Sequence, residues 1–144
     1  MEALLHSCRP VLILPQKKVA SPAQHVLIAW NQSAEASRAV AMAMPLLRAA
    51  TSVSIAVSGT ENALGPKSSH LQRYLAHQGI AASVQRGRGR DAAKEIESAY
   101  EKQSADVVLM GAYSRSRLRE LIFGGLTDHM LRHSKLPVLM YHSG

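Results

Sequence analysis

The chain has 144 residues, 47% of them hydrophobic and 19% charged, with nine Gly and six Pro. That composition excludes a disordered chain, a collagen-like repeat and a coiled coil, and the length suits one globular unit with a real core. Lys and Arg outnumber Asp and Glu by 17 to 10, a formal net charge of +7, which favours anionic partners such as phosphates, nucleic acid or acidic membrane without choosing among them.

At the N-terminus, Met1-Glu2-Ala3-Leu4-Leu5-His6 lacks the basic start and continuous apolar stretch of a secretory signal, so the expected location is the cytoplasm. Cys8 is the single cysteine, which leaves no intrachain disulfide and no cysteine-based zinc site. Aliphatic runs such as Val11 to Leu14 are far too short to span a bilayer. This opening segment repeats later in the chain. Leu5-His6-Ser7-Cys8-Arg9-Pro10-Val11-Leu12-Ile13 lies on Arg132-His133-Ser134-Lys135-Leu136-Pro137-Val138-Leu139-Met140 at one constant offset, with His, Ser, Pro, Val and Leu identical. One explanation is that residues 1–24 are the terminal strand of a preceding repeat plus a linker, Gln16 to Gln24, ahead of a domain at 25–144. The other is chance likeness between two short strands that each follow a turn.

Four apolar, β-branched-rich runs then read as strands covered on both faces: Val26 to Trp30, Val53 to Val57, Val107 to Met110 and Pro137 to Met140. Ala81 to Gln85, apolar then polar, reads as an edge strand. Between them lie helical patterns marked by Ala36, Val40, Ala43, Met44 and Leu47; by Leu71, Tyr74, Leu75 and Gln78; by Ala92, Ile96, Ala99 and Gln103; and by Phe123, Leu126 and Met130. Pro45 should bend the first helix or remove one of its hydrogen bonds. Alternating strands and helices predict an α/β fold, a mostly parallel doubly wound sheet with helices on both faces. Such sheets bind ligands beyond the carboxyl ends of their strands, which directs attention to the residues after Trp30, Val57 and Met110.

The most informative stretch runs from Asp106 to Thr127: a buried strand, Gly111, a basic loop with Arg115, Arg117 and Arg119, then Gly124 and Gly125 opening a helix. Glycines permit close backbone approach, and the free N–H groups of a helix start attract anions. A connecting loop with solvated arginines is the plainer alternative.

On these residues, and on the ending Leu131 to Leu139, the chain from His25 to His142 resembles the universal stress protein family. The resemblance, closest to the C-terminal half of a tandem member, implies a five-stranded Rossmann-like sheet of the adenine nucleotide alpha hydrolase type and dimers paired through the last strands. In nucleotide-binding members it implies ATP, with phosphates in a loop of pattern G-x2-G-x9-G-[ST]. Gly111 and Gly124 match that pattern, whereas Ser114 replaces its second glycine and Gly125 its final Ser or Thr. Asn31 stands where the family's ATP binders usually carry Asp. The implied pocket is lined by Asn31, Val57, Gly111, Ser114, Gly124 and Gly125, with Arg115 and Arg117 near the phosphates.

Other constellations point to plainer roles. Gly87-Arg88-Gly89-Arg90-Asp91-Ala92 fits G-x-G-x-x-[GA], but it follows the weakest strand and no acidic residue ends the next one, so a turn capped by Asp91 accounts for it better than a dinucleotide site. His129 and His133 have metal-clamp spacing, yet Met130-Leu131-Arg132 between them supplies no acid and adds a cation, and no metal is expected. No nucleophile elbow and no P-loop is present, and Asp128 reads as a first-turn helix acid. A non-enzymatic module is therefore expected, with weak ATP hydrolysis left open. The competing reading keeps the fold and drops the ligand, giving an oligomeric scaffold or signalling protein with a protein partner. Nucleic acid and membrane are not expected partners, since the arginines cluster only at 86–90 and 115–119 and few aromatics are available for stacking.

Overall fold

A computed structural model describes residues 4, 6–15, 23–63, 65–112, 125–132 and 135–142. The elements run β1 Val11–Ile13, β2 His25–Trp30, α1 Ala34–Met42, α2 Met44–Ala49, β3 Ser52–Ser58, α3 Ser68–His77, β4 Ala82–Gly87, α4 Ala92–Lys102, β5 Val107–Gly111, α5 Leu126–Arg132 and β6 Val138–Tyr141. They form one six-stranded sheet of order β1-β6-β5-β2-β3-β4. All neighbours are parallel except β1, which runs antiparallel to β6. The five-strand expectation is thus short by one. β1 pairs with β6 through Val11↔Met140, Leu12↔Leu139 and Ile13↔Val138, covering the edge expected to pair with another chain.

The central strands are mostly apolar because alternate residues feed two separate cores. Val26, Ile28 and Trp30 of β2 face one side with Val53, Ile55 and Val57 of β3, packed by Ala39 and Val40 of α1, Leu47 of α2, and Leu71 and Leu75 of α3. Leu27 and Ala29 face the other side with Val108 and Met110 of β5, covered by Ile96 and Ala99 of α4 and Met130 of α5. Helices on both faces supply the two-sided burial that a parallel sheet requires. β4 is the far edge, with Ser83 and Arg86 exposed, as its mixed sequence predicts.

Pro45 separates α1 from α2 at Ala43 and sits in the first turn of the second helix, where its missing N–H costs nothing. At the amino ends of the strands, Asp106 accepts from the backbone N–H of Gln24 at 2.9 Å and of His25 at 3.2 Å, tying β5 to β2. No helix among the described residues is long and apolar enough to cross a membrane.

Candidate functional site

Consecutive strands β2, β3 and β4 proceed outward in one direction, and the chain then crosses back to place β5 on the other side of β2. The strand order therefore reverses between β2 and β5, and a crevice opens beyond their carboxyl ends. A cleft of about 130 Å³ lies there, bordered by Trp30, Asn31, Val57, Met110, Gly111 and Leu126 among others. A second hollow of about 370 Å³ shares Ala56, Val57, Ser58 and Ile96 with it and extends toward β4 and α4. Its rim carries Arg86, Arg88, Arg90, Lys94 and Lys102 against Asp91 and Glu95. These cations make the open side of the sheet's carboxyl end electropositive.

Each wall is fixed by contacts within the chain. Asn31 is exposed, and its Oδ1 accepts from Ser33 N–H at 3.2 Å and Ser33 Oγ at 2.6 Å, while Ser33 in turn caps α1 by accepting from Ala36 N–H at 3.0 Å. With its oxygen engaged, what Asn31 has left to offer a ligand is its amide donors. Gln32 adopts φ +63° and locks the loop after β3: Nε2 donates to Asn62 O at 2.8 Å and Gly65 O at 2.9 Å, and Oε1 accepts from Asn62 N–H at 2.9 Å. Trp30 Nε1 donates to Pro66 O at 2.9 Å from the same side.

Glu61, on that loop, accepts from Ser68 N–H at 2.5 Å and Ser68 Oγ at 2.6 Å, and pairs with Arg86 at 2.8 Å. Burial is the largest single influence and pushes its carboxyl up, but the bonds from Ser68 and Arg86 together outweigh it and hold it below the ordinary carboxylate range. Glu95 does the same for the turn after β4. Its carboxylate takes the Ser58 hydroxyl at 2.5 Å and Gly89 N–H at 2.8 Å, and these bonds, led by Ser58, lower its pKa. The Gly87 to Ala92 motif is thus a turn wrapped around the protein's own carboxylate, with Asp91 capping α4 by accepting from Lys94 N–H at 3.2 Å. Gly89, at φ +83°, also brings this turn against Gly59, where a Cβ would stand 2.9 Å from the Gly59 Cα.

Asn31, Val57 and Gly111 come together on the cleft. Gly111 has a second duty: a Cβ there would lie 2.5 Å from Ala36 N and 2.6 Å from the Glu35 carbonyl carbon, so its glycine lets the start of α1 pack on the end of β5. Gly125 opens α5, its carbonyl accepting from His129 N–H at 3.1 Å, and does not border the cleft; Leu126 does. Ser114, Arg115, Arg117 and Gly124 lie outside the described residues, as does His133. His129 Nε2 lies 3.0 Å from Glu97 Oε1, linking α5 to α4, and Asp128 pairs with Arg132 at 2.8 Å. Glu61 and Asn62 border the cleft without having been singled out from sequence, and Gln32 and Leu126, read there only as loop and helix residues, border it too.

The sequence pattern of the Universal stress protein family matches residues 22–142. The chain belongs to the universal stress protein family. Among curated members, Universal stress protein MJ0577 of Methanocaldococcus jannaschii is 30% identical over 47 residues, 33% of this chain and 29% of that protein. Universal stress protein Slr1230 of a Synechocystis species is 40% identical over 50 residues, 34% of this chain and 17% of that one. The matched segments therefore span under a third of either relative. Of solved structures, a universal stress protein from Archaeoglobus fulgidus superimposes with TM-score 0.75 at 23% identity, over 94% of this chain and 50% of that one. A universal stress protein in complex with cAMP follows with TM-score 0.60 at 16% identity, over 84% and 98% of the two chains. At these identities the superpositions establish the shared fold, a Rossmann-like α/β sheet.

Proposed function

We propose that this chain is a cytoplasmic, non-enzymatic stress-response module that binds an adenine nucleotide, ATP in the first instance, beyond the carboxyl ends of β2, β3 and β5. The observation that carries the reading is the crevice at the reversal of strand order, with Asn31, Val57 and Gly111 on its walls. The base and ribose are assigned to Asn31 and the backbone about Val57. The phosphates are assigned to the glycine segment from Gly111 through Ser114 and Gly124 to Gly125, with Arg115 and Arg117 as counter-charges. That a universal stress protein of the same fold was solved in complex with cAMP supports a nucleotide as the ligand class. The hollows suit such a ligand, since apolar strand ends at Ala56 and Val57 adjoin a cationic rim. No metal is assigned to the site.

A second reading, a scaffold or signalling protein without nucleotide, is favoured by the small volume of the cleft, about 130 Å³. One experiment separates the two. Purified protein is denatured and its extract weighed by mass spectrometry, and thermal unfolding is followed with ATP, AMP and cAMP. Ligand at one hundred times its Kd adds about 2.7 kcal/mol, which raises Tm by several degrees in a chain of this size. No released nucleotide and no shift at millimolar concentrations would sink the nucleotide reading and leave the scaffold. In either reading, pairing of two domains through the last strand requires β1 to leave the outer edge of β6.

A further inference from the structure

The helices over one face of the sheet do not close on each other. α1 packs on β2, β5 and β6, and α3 on β3 and β4, so a gap runs between them. An apolar groove of about 300 Å³ lies there. Trp30, Val40 and Leu71, each buried in the first core, form its floor. Ser37 of α1 and His70 and Tyr74 of α3, all more exposed, form its rim. Of the described residues it shares only Trp30 with the cleft assigned to nucleotide. The polar groups at the rim can all donate. His70 Nδ1 accepts from Lys67 N–H at 3.1 Å, which leaves the ring proton on Nε2 as a donor. Ser37 and Tyr74 add hydroxyls. Trp30 Nε1 is spent on Pro66 O at 2.9 Å, so the indole offers its ring alone. No carboxylate borders the groove among the described residues. In residues 34–49 and 66–78, which hold α1, α2 and α3, the one acidic residue is Glu35, buried at 4% exposure, whereas Arg38, Arg48 and Arg73 are exposed. This layer is therefore apolar at the groove and positive around it.

We infer that the groove between α1 and α3 is a binding site for a small aromatic carboxylic acid, its ring on Trp30, Val40 and Leu71 and its carboxylate on His70 Nε2, with the Ser37 and Tyr74 hydroxyls as further donors. Small-molecule sites are concave and mostly apolar, with a few polar groups that fix orientation, and run from about 300 Å³ upward. The groove meets that description at its lower bound, which suits one ring on a short chain. The rings of Trp30 and Tyr74 favour an aromatic body, through offset or edge-on contact, over an aliphatic one. Donors without acceptors of negative charge, set in a positive layer, favour a carboxylate over an alcohol or an amine. The site goes beyond the nucleotide reading and does not depend on it.

The test titrates 3-phenylpropanoate into the isotope-labelled full chain, followed by amide NMR. Saturable shifts are expected at Ser37, Val40, His70, Leu71, Tyr74 and the Trp30 indole N–H, with Val57 and Gly111 unmoved and a Kd of about 1 mM, ordinary for a one-ring ligand. The alcohol, 3-phenylpropanol, should bind about tenfold more weakly and 3-phenylpropylamine more weakly still, because charge-assisted hydrogen bonds are the stronger ones. Ser37→Phe, which fills the groove from its rim, should abolish the shifts, and His70→Phe should bring acid and alcohol to nearly equal affinity. Asn31→Ala, which removes the amide assigned to nucleotide, should change nothing, so failure of this inference and failure of the nucleotide reading are told apart. Shifts centred on Val57 and Gly111, equal binding of acid, alcohol and amine, or no saturable shift at millimolar acid would overturn the inference. So would a doubled mass in light scattering that the acid does not reverse, which seats a second copy in the groove. Displacement of the acid at lower concentration by an amphipathic model helix of Glu, Leu and Ala would seat a protein segment there instead and overturn it equally. If Ser37→Phe does not fold, full discrimination of acid from alcohol by His70→Phe is enough to refute it.

Discussion

Gly111 and Gly125 belong to the same loop pattern yet meet different surroundings. At Gly111 a methyl group would collide with backbone atoms of Glu35 and Ala36, which cannot swing aside. Gly111→Ala is therefore expected to destabilise the protein by about 1–3 kcal/mol, as overpacking does. A fall in Tm of several degrees would register this. Gly125 has nothing within 4 Å of the same position. Gly125→Ser, which restores the hydroxyl of the family's nucleotide binders at the start of α5, should leave stability within a few tenths of a kcal/mol. On the nucleotide reading it raises the thermal shift given by ATP, and an unchanged shift counts against a phosphate at that position. Sequence alone presents both as members of one glycine pattern, Gly111 after a strand and Gly125 at a helix start. Only the approach of α1 to β5 separates them.

The carboxylates of Glu61 and Glu95 give the residue scale its pH dependence. Both pKa values are lowered in the folded protein from an ordinary 4.5, so the stabilisation they bring is fully present above 4.5 and is lost as pH falls through the lowered values. Glu95→Gln should accordingly unfold at a lower temperature than the parent at pH 7, with the gap closing as the pH is taken down through that window. A gap independent of pH would show that shape, not charge, matters at the turn.

At the scale of elements, the strands were legible because both faces of β2, β3 and β5 are covered, which favours apolar side chains on both, with Ser54 the buried polar exception within β3. The break before Pro45 was legible for a covalent reason, the missing N–H. Tyr74 was not. Its spacing placed it on the buried face of α3, yet it is 43% exposed, at the rim of a groove shared with Trp30, Pro66 and His70. Helical periodicity gives a direction around the axis, but how far the neighbouring layer extends decides whether that direction is covered.

The loop between β3 and α3 depends on one side chain from another element. Gln32 exchanges two hydrogen bonds with Asn62 and a third with Gly65, while holding a left-handed φ that favours glycine. Gln32→Ala should raise the hydrogen-exchange rate of the Asn62 amide and weaken any nucleotide thermal shift. Gln32→Gly relieves the backbone but lacks the same bonds, and should speed exchange likewise. Protection unchanged in both would mean that the loop is held by other contacts. No local motif announces this lock, because the partners lie some thirty residues apart and meet only at adjacent strand ends.

For the whole molecule, the two cores meet at the central strands, and Leu27 of β2 lies in the second of them at 0% exposure. Leu27→Ala is expected to cost about 2–5 kcal/mol, read as a lower denaturant midpoint with an unchanged slope, since the collapsed site cannot refill. The same substitution at Leu12, 48% exposed on β1, should cost far less. The sheet tolerates change at its rim and not at its centre.

The sequence by itself determined the alternation of strand and helix, the apolar interior, the break at Pro45, the cap at Asp91, and the strand ends where a ligand site belongs. These are consequences of chain covalency, side-chain periodicity and local hydrogen bonding, all expressed within a dozen residues. It also displayed the repeat of 5–13 in 132–140. What only the tertiary structure decided was which groups meet across long separations. It joined Gln32 to the loop at 62–65, folded the glycine turn around Glu95, and set Gly111 against α1. It also laid β1 on β6 in the register that makes Leu12 and Leu139 face each other. Strand pairing is satisfied by any edge of matching pattern, so the choice of partner is written in the packing of the whole sheet and not in the strand.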